Sequence, residues 1–132
     1  QLQPSLAIVI DVTFGASPGS PAHQTFPLGK GPALGWGPNI HPQLFKSFKE
    51  LAERLDIPFQ VEVIPRHSGT DAIAIQVVRQ GIPCMVIGIP LRYMHTPVEM
   101  VKLKDIIRAG KLIAEFVAGL PVDFLEKLSW DD

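Results

Sequence analysis

The sequence has few of the features that mark secreted, membrane-bound or nucleic-acid-binding proteins. Cys84 is the only cysteine among 132 residues, which excludes an internal disulfide and favours a reducing compartment, so a cytoplasmic location is predicted. No apolar run reaches the ~18 residues that span a bilayer, and the first residues lack the basic segment of a signal peptide. The net charge is −1 with both signs interspersed, so neither nucleic acid nor a membrane surface is a predicted partner.

The residues that are present describe a globular protein. Hydrophobic residues make up 46% and charged residues 19% of the chain, which excludes a disordered or fibrous protein. A chain of this length can bury a sizeable core, so residues 1–132 are predicted to form a single segment with no linker between domains.

Hydrophobic patterning predicts alternating strands and helices. Apolar or alternating runs predict three strands, the first and last of them buried on both faces: 6–12, 59–64 and 84–89. Helical spacing predicts three helices: 42–56, 70–81 and about 104–119. A Gly- and Pro-rich loop that has room for one short strand fills 15–42. The β–loop–α–β–α–β–α order predicts an α/β fold, a layered sheet with helices on its faces.

Two helix predictions are more specific. Thr70 and Gly81 are placed to cap the second helix. The third helix has one apolar face, composed of Ile106, Ile107, Gly110, Ile113, Ala114 and Val117. Just before it, Thr96-Pro97-Val98-Glu99 resembles a capping box, whereas the alternation from Met100 to Leu103 favours a short strand, and both interpretations stay open.

Polar residues cluster where the predicted strands end. Asp11 ends the first strand, "RHSGTDA" (66–72) follows the second, and "RYMHTPVE" (92–99) follows the third. Three parallel strands would bring these clusters to one edge of the sheet, where α/β proteins bind ligands. Asp11 and His95 then supply a carboxylate and an imidazole, ligand types that suit zinc or cobalt. The alternatives are a turn or capping role for Asp11 and a surface role for His95.

Other reactive residues fit ordinary structural roles better. His67, Ser68 and Asp71 could suggest a nucleophilic triad, but the sequence has no nucleophile elbow and adjacent residues rarely face each other. Cys84 lies inside an apolar strand and is predicted to be a core residue.

Four ordered segments resemble the tetrahedral, co-catalytic metallo-aminopeptidases. This family includes glutamyl and deblocking aminopeptidases and proteins once labelled cellulase M or endoglucanase. The resemblance covers roughly residues 6 to 118 and rests on four segments together: "IDVTFGASPG", "LGKGPALGWGPNIHP", "SGTDA" and "PLRYMHTPVE".

The resemblance implies a two-metal peptidase that removes N-terminal residues from short peptides and, as a whole protein, forms homo-oligomers. Two divalent ions, zinc or cobalt, would be bound, with Asp11 as a ligand of one and His95 as a ligand of the other. Phe14 and Gly69 would line the substrate pocket.

Three residues near His95 are expected to support it and to leave catalysis to other groups. These are Arg92, Tyr93 and Glu99. A metal-bound imidazole usually donates its other ring proton to a carboxylate, a carbonyl or water, so Glu99 and a backbone carbonyl are both candidate partners.

The sequence also departs from the family pattern. The family's second histidine, bridging aspartate, further carboxylate ligand and glutamate base lie before the "DVT" strand, and the ten residues before Asp11 contain no His, Asp or Glu. We therefore expect an incomplete, C-terminal part of a catalytic domain that is inactive alone and contains no catalytic residue. The alternatives are a non-catalytic α/β assembly module or degenerate subunit and, on the old label alone, a glycoside hydrolase.

Overall fold

A computed structural model describes residues 4–128 as a mixed sheet with helices packed against it. The strands are β1 (Ala7–Phe14), β2 (Ala33–Trp36), β3 (Gln60–Val63), β4 (Cys84–Arg92) and β5 (Met100–Val101). The helices are α1 (Pro42–Arg54), α2 (Ala72–Gln76) and α3 (Leu103–Ala118), followed by a short 3₁₀ turn at Leu125–Lys127. The predicted α/β class is confirmed, as is the short strand in the long loop. Among residues 4–128, no helix is long and apolar enough to cross a membrane.

The strand directions differ from the prediction of three parallel strands. The sheet order is β1-β4-β2-β3, with β5 pairing the end of β4. β1 is parallel to β4 and β2 is parallel to β3, but β2 is antiparallel to β4. The second predicted strand, 59–64, corresponds to β3 and therefore runs opposite to the other two predicted strands. The reason is β2, because it joins β4 in reverse and the α1 crossover then keeps β3 parallel to β2.

The core lies where α1 and α3 pack on the central strands. The amphipathic prediction for α1 is confirmed, since its apolar stripe is buried, and Phe48 stacks on Phe116 of α3 with ring centroids 4.1 Å apart. Leu34, Met85 and Ile87 supply the sheet side of this core and are fully buried. The predicted burial of Cys84 is also confirmed, and burial raises the pKa of its thiol.

The apolar face predicted for α3 is mostly its exposed face. The buried residues are Asp105, Ala109, Leu112 and Phe116, whereas Ile107 is 61% exposed. The buried stripe begins with a charged residue, which a hydrophobic pattern cannot identify. The Asp105 carboxylate accepts hydrogen bonds from the backbone N–H groups of Gly29 (2.5 Å) and Gly31 (2.9 Å), and so joins α3 to the long loop.

The predictions for β1 and α2 are wrong in detail, and the structure decides the alternative left open before α3. β1 is an edge strand with several exposed side chains, not a strand buried on both faces, and Asp11 lies within it rather than at its end. α2 spans only Ala72–Gln76, with Asp71 at its N-cap, although the Thr70 hydroxyl does accept a hydrogen bond from the Ala72 N–H. In the ambiguous region, the short strand β5 forms and the helix begins at Leu103.

Candidate functional site

Glycines make one face of the sheet hollow. Asp11 on β1 is in register with Gly88 on β4, and Gly35 on β2 is in register with Glu62 on β3. A Cβ at Gly88 would lie 3.0 Å from Cγ2 of Thr13 and 3.1 Å from Oε2 of Glu62. Side chains from the two outer strands therefore close over the central strands, in space that a larger residue at position 88 would fill.

A pocket of about 310 Å³ lies at this hollow and contains the sequence-predicted ligands. Asp11 and His95 both line it, as do the predicted substrate residues Phe14 and Gly69. Its other lining residues are Val12, Thr13, Glu62, Ile64, Ser68, Thr70, Val86, Gly88 and Met94. All three polar clusters predicted from the sequence thus contribute to one pocket.

His95 lies in a tight turn after β4. Both Tyr93 (φ +58°) and His95 (φ +64°) adopt the left-handed conformation, which is uncommon for residues with a side chain and often marks functional sites. Glu99 accepts a hydrogen bond from the His95 backbone N–H at 2.6 Å. The Thr96 hydroxyl donates to the Tyr93 carbonyl at 2.6 Å. Glu99 therefore contacts the backbone of His95, whereas the sequence suggested the imidazole ring.

Arg92 and Tyr93 lie beside the pocket that contains His95, and neither lines it. The Arg92 Nε–H donates to the Ala16 carbonyl, which joins the end of β4 to the loop after β1. Tyr93 lines a neighbouring cavity of about 340 Å³ together with Phe14. Their contacts are consistent with a supporting position.

The Gly69 loop reaches the pocket although β3 runs opposite to the predicted direction. Asn39, at the end of the long loop, accepts a hydrogen bond from the Ser68 N–H at 2.8 Å and donates its own amide to Gln76 of α2 at 2.6 Å. This buried asparagine therefore holds the loop and α2 together. The Ser68 hydroxyl pairs with Thr70 at 3.0 Å, so it is engaged within the loop.

Glu62 is a site residue that the sequence reasoning missed. Its Oε1 accepts a hydrogen bond from the Thr13 hydroxyl at 2.8 Å. Burial raises the pKa of the Glu62 carboxyl, and the Thr13 hydrogen bond partly opposes that rise. "FQVEVI" resembles a strand with a solvated polar face, and only the glycines at 35 and 88 could have signalled that this face is a pocket.

The pocket offers part of a metal site. Asp11 and His95 are suitable donors, and the Asp11 carboxylate otherwise accepts only the neighbouring Val12 N–H, at 2.7 Å, among the described residues. Within residues 4–128, however, no three His, Cys, Asp or Glu side chains are grouped so that they could hold a metal ion. A catalytic zinc normally has three protein ligands. The two donors therefore fit a metal centre but do not complete one.

Relatives of this chain are aminopeptidases. The M42 glutamyl aminopeptidase profile matches residues 1–112. The lysyl aminopeptidase of Pyrococcus furiosus is 40% identical over 124 residues, which make up 93% of this chain and 36% of that protein. The chain thus spans about a third of the length of this relative.

Solved structures agree on the fold and the family. A TET aminopeptidase from a marine-sediment Thaumarchaeota archaeon has a TM-score of 0.87 at 30% identity, over 96% of this chain and 36% of that one. The Pyrococcus horikoshii TET1 peptidase, which can assemble into a tetrahedron or a large octahedral shell, has a TM-score of 0.67 at 29% identity, over 87% and 33% of the two chains. Because the family profile matches residues 1–112, most of the sequence, the chain belongs to the M42 glutamyl aminopeptidase family.

Proposed function

We propose that the protein is a two-metal aminopeptidase that removes N-terminal residues from short peptides. The M42 family is metal-dependent in general. The observation that carries the proposal is that Asp11, His95, Phe14 and Gly69 line a single pocket. The P. furiosus relative is named a lysyl aminopeptidase, so a basic N-terminal residue is one candidate substrate.

In this proposal, Asp11 holds one ion and His95 the other, and the ions are zinc or cobalt. Such a pair polarises the scissile carbonyl and activates water when it is bound. The left-handed turn and the Glu99 hydrogen bond fix the backbone that presents the imidazole. Phe14 and Gly69 border the space for the substrate, and Gly69 leaves that space open because no atom lies within 4 Å of where its Cβ would be.

In this proposal, residues 1–132 supply only part of the centre, because residues 4–128 contain no three-donor group that could hold a metal ion. They correspond, in this proposal, to the C-terminal part of the catalytic domain, and the general base and remaining ligands come from another part of the protein. We therefore expect the isolated chain to bind zinc or cobalt weakly and to lack activity. As a whole protein, we propose a cytoplasmic homo-oligomer, like the assemblies described for the P. horikoshii relative.

The test uses the product of the complete gene, loaded with zinc or cobalt and assayed on aminoacyl p-nitroanilides and short peptides. Metal-dependent release of the N-terminal residue, lost on chelation and restored by metal, is the expected result. No release with any residue or either metal contradicts the proposal. A soluble cellulose is the control substrate for a glycoside hydrolase, because Asp11 and Glu62 are two carboxylates at one pocket.

An assembly module without catalysis is the second candidate. The observation that favours it is the exposed apolar surface on β1 and on the outer face of α3, since such patches mark interaction sites. A complete-gene product that assembles normally, binds no metal and hydrolyses no peptide would support this candidate over the enzyme.

A further inference from the structure

We infer that Glu62 makes the pocket selective for a cationic side chain on the N-terminal residue of the peptide. The inference rests on the proposed aminopeptidase function and names the substrate class that the function leaves open. It assigns Glu62 a role in specificity and assigns the reaction itself to other groups.

The position of Glu62 leaves one carboxylate oxygen for a ligand. Oε1 is held by the Thr13 hydroxyl, which is itself buried. Oε2 lies over Gly88 at the floor of the pocket and has no hydrogen-bond partner among the described residues. The carboxylate is thus fixed by one oxygen while the other is free to accept from a bound group.

The charge of Glu62 favours a cation. Asp11 and His95 are assigned to metal ions, Glu62 is the remaining ionisable lining residue, and no Lys or Arg lines the pocket. Among residues 4–128, no Lys, Arg or His forms an ion pair with Glu62. A partly desolvated carboxylate without a protein cation attracts an ammonium or guanidinium group more strongly than an exposed one does.

The inference gives Glu62 a role different from that of the two proposed metal ligands. Asp11, His95 and Glu62 do not form a three-donor group suited to a metal ion. Glu62 also lies on β3, at the side of the pocket from which the chain continues into the loop that carries Gly69. Because Phe14 and Gly69 are the proposed substrate-contacting residues, Glu62 is placed with them to meet the side chain of the first substrate residue.

The kinetic test compares Glu62→Gln with the unchanged protein, both made from the complete gene and loaded with the same metal. Gln keeps an oxygen that can accept from Thr13 and replaces the free, charged oxygen with a neutral NH2 group, which donates instead of accepting. We expect kcat/KM for lysyl p-nitroanilide to fall about tenfold relative to that for leucyl p-nitroanilide. Glu50→Gln on the exposed surface of α1 is the matched control and should leave the ratio unchanged.

A binding test gives a second readout that does not need turnover. Lysinamide and norleucinamide share the α-amine and the amide and differ in the ε-ammonium, and their affinities are measured by calorimetry. The unchanged protein should bind lysinamide more tightly, and Glu62→Gln should remove that difference. Equal weakening of both ligands would make Glu62 an anchor for the α-amine and overturn the inference, as would no change.

A third variant separates charge from packing. Glu62→Asp keeps the charge on a shorter side chain and should keep part of the preference for lysinamide. If the Glu62→Gln and Glu62→Asp variants lose the preference for lysinamide equally, Glu62 has a packing role and the inference is wrong. If the unchanged protein hydrolyses no substrate, the proposed function fails, while the lysinamide and norleucinamide affinities still decide the inference.

Discussion

β1 and β4 look alike in sequence and differ in the structure. Both are apolar runs, they pair in parallel register from Ala7 with Cys84 to Phe14 with Leu91, and the sequence predicts the same burial for both. Yet Ile87 on β4 is fully buried, whereas its register partner Ile10 on β1 is 54% exposed. β4 is central and β1 is an edge. The apolar pattern predicts the strand, but the sheet order decides what covers it.

Exposed apolar side chains are not confined to β1. The outer face of α3 also exposes large apolar side chains, among them Leu103 and Ile107. Exposed apolar patches and an unpaired strand edge promote association. The molecule thus has a closed half, formed by α1, β2, β4 and the buried face of α3, and an open half, formed by β1, β5 and the exposed face of α3.

The largest effect on stability should come from Ile87, which pairs in register with Ile10. In residues 1–132, Ile87→Ala removes a fully buried side chain and should lower the free energy of unfolding by about 3 kcal/mol. Ile10→Ala should cost less than about half of that, because the side chain is half exposed. Urea denaturation measures both, at a protein concentration low enough to keep the chain monomeric. Equal losses in the free energy of unfolding would show that β1 is as well covered as β4 and would contradict the difference drawn between the two strands.

Asp105 should rank next, because it is a buried charge in the closed half. Asp105→Ala leaves the N–H groups of Gly29 and Gly31 without their acceptor and should cost about 2 kcal/mol. Ile107→Ala, on the exposed face of the same helix, is the matched control and should change stability by less than about 0.5 kcal/mol. Thermal denaturation checks the pair, and a reversed order would mean that the outer face of α3 is the buried one.

Self-association should follow from the open half. We expect residues 1–132, made alone, to elute as oligomers or aggregates in size-exclusion chromatography with light scattering. Replacing Ile10 and Ile107 with Lys should shift the material towards monomer, because charges are costly to bury in an apolar contact. A clean, cooperative monomer without those changes would show that the open half needs no cover.

Glu62 should give the smallest stability effect, with a definite sign. Because burial raises the pKa of this carboxyl, the folded protein holds the proton to higher pH than the unfolded chain does. The stability that this proton contributes is present below the unfolded pKa of about 4.3 and is lost as the pH rises through the folded pKa. Ionised Glu62 therefore lowers stability at neutral pH.

Denaturation of Glu62→Gln at several pH values tests this sign. At neutral pH the variant should be as stable as the unchanged chain or slightly more stable, and its relative stability should fall as the medium is acidified. Glu50→Gln, at an exposed position, should show no such trend. A clear loss of stability at neutral pH in Glu62→Gln would instead show that the ionised carboxylate, through its charge-assisted hydrogen bond from Thr13, stabilises the fold.

Local patterns predict some elements well and others poorly. The apolar spacing of α1 is strong and unambiguous, and its buried face is correctly predicted. The face of α3 is not, because its buried stripe includes Asp105, whose partners Gly29 and Gly31 are 74 or more residues away. The direction of β3 fails for a similar reason, since it depends on how β2 pairs with β4.

Some residues of the candidate site could also be predicted from the sequence, and one could not. Asp11, His95, Phe14 and Gly69 come from motifs, and all four line one pocket. Glu62 carries no motif, and its position opposite Thr13 arises only when β1 and β3 close over Gly88 from both sides of the sheet. A motif identifies residues from the sequence, whereas the neighbours that decide specificity depend on tertiary contacts.

We propose that Asp11 and His95 are metal ligands at one site, and a crystal structure of the complete-gene product with zinc is the decisive test, with anomalous scattering to locate the metal. We expect two zinc ions about 3.5–4 Å apart, one bound by the Asp11 carboxylate and the other by the His95 imidazole. Fully occupied zinc elsewhere, with neither residue coordinating it, would rule the proposed site out.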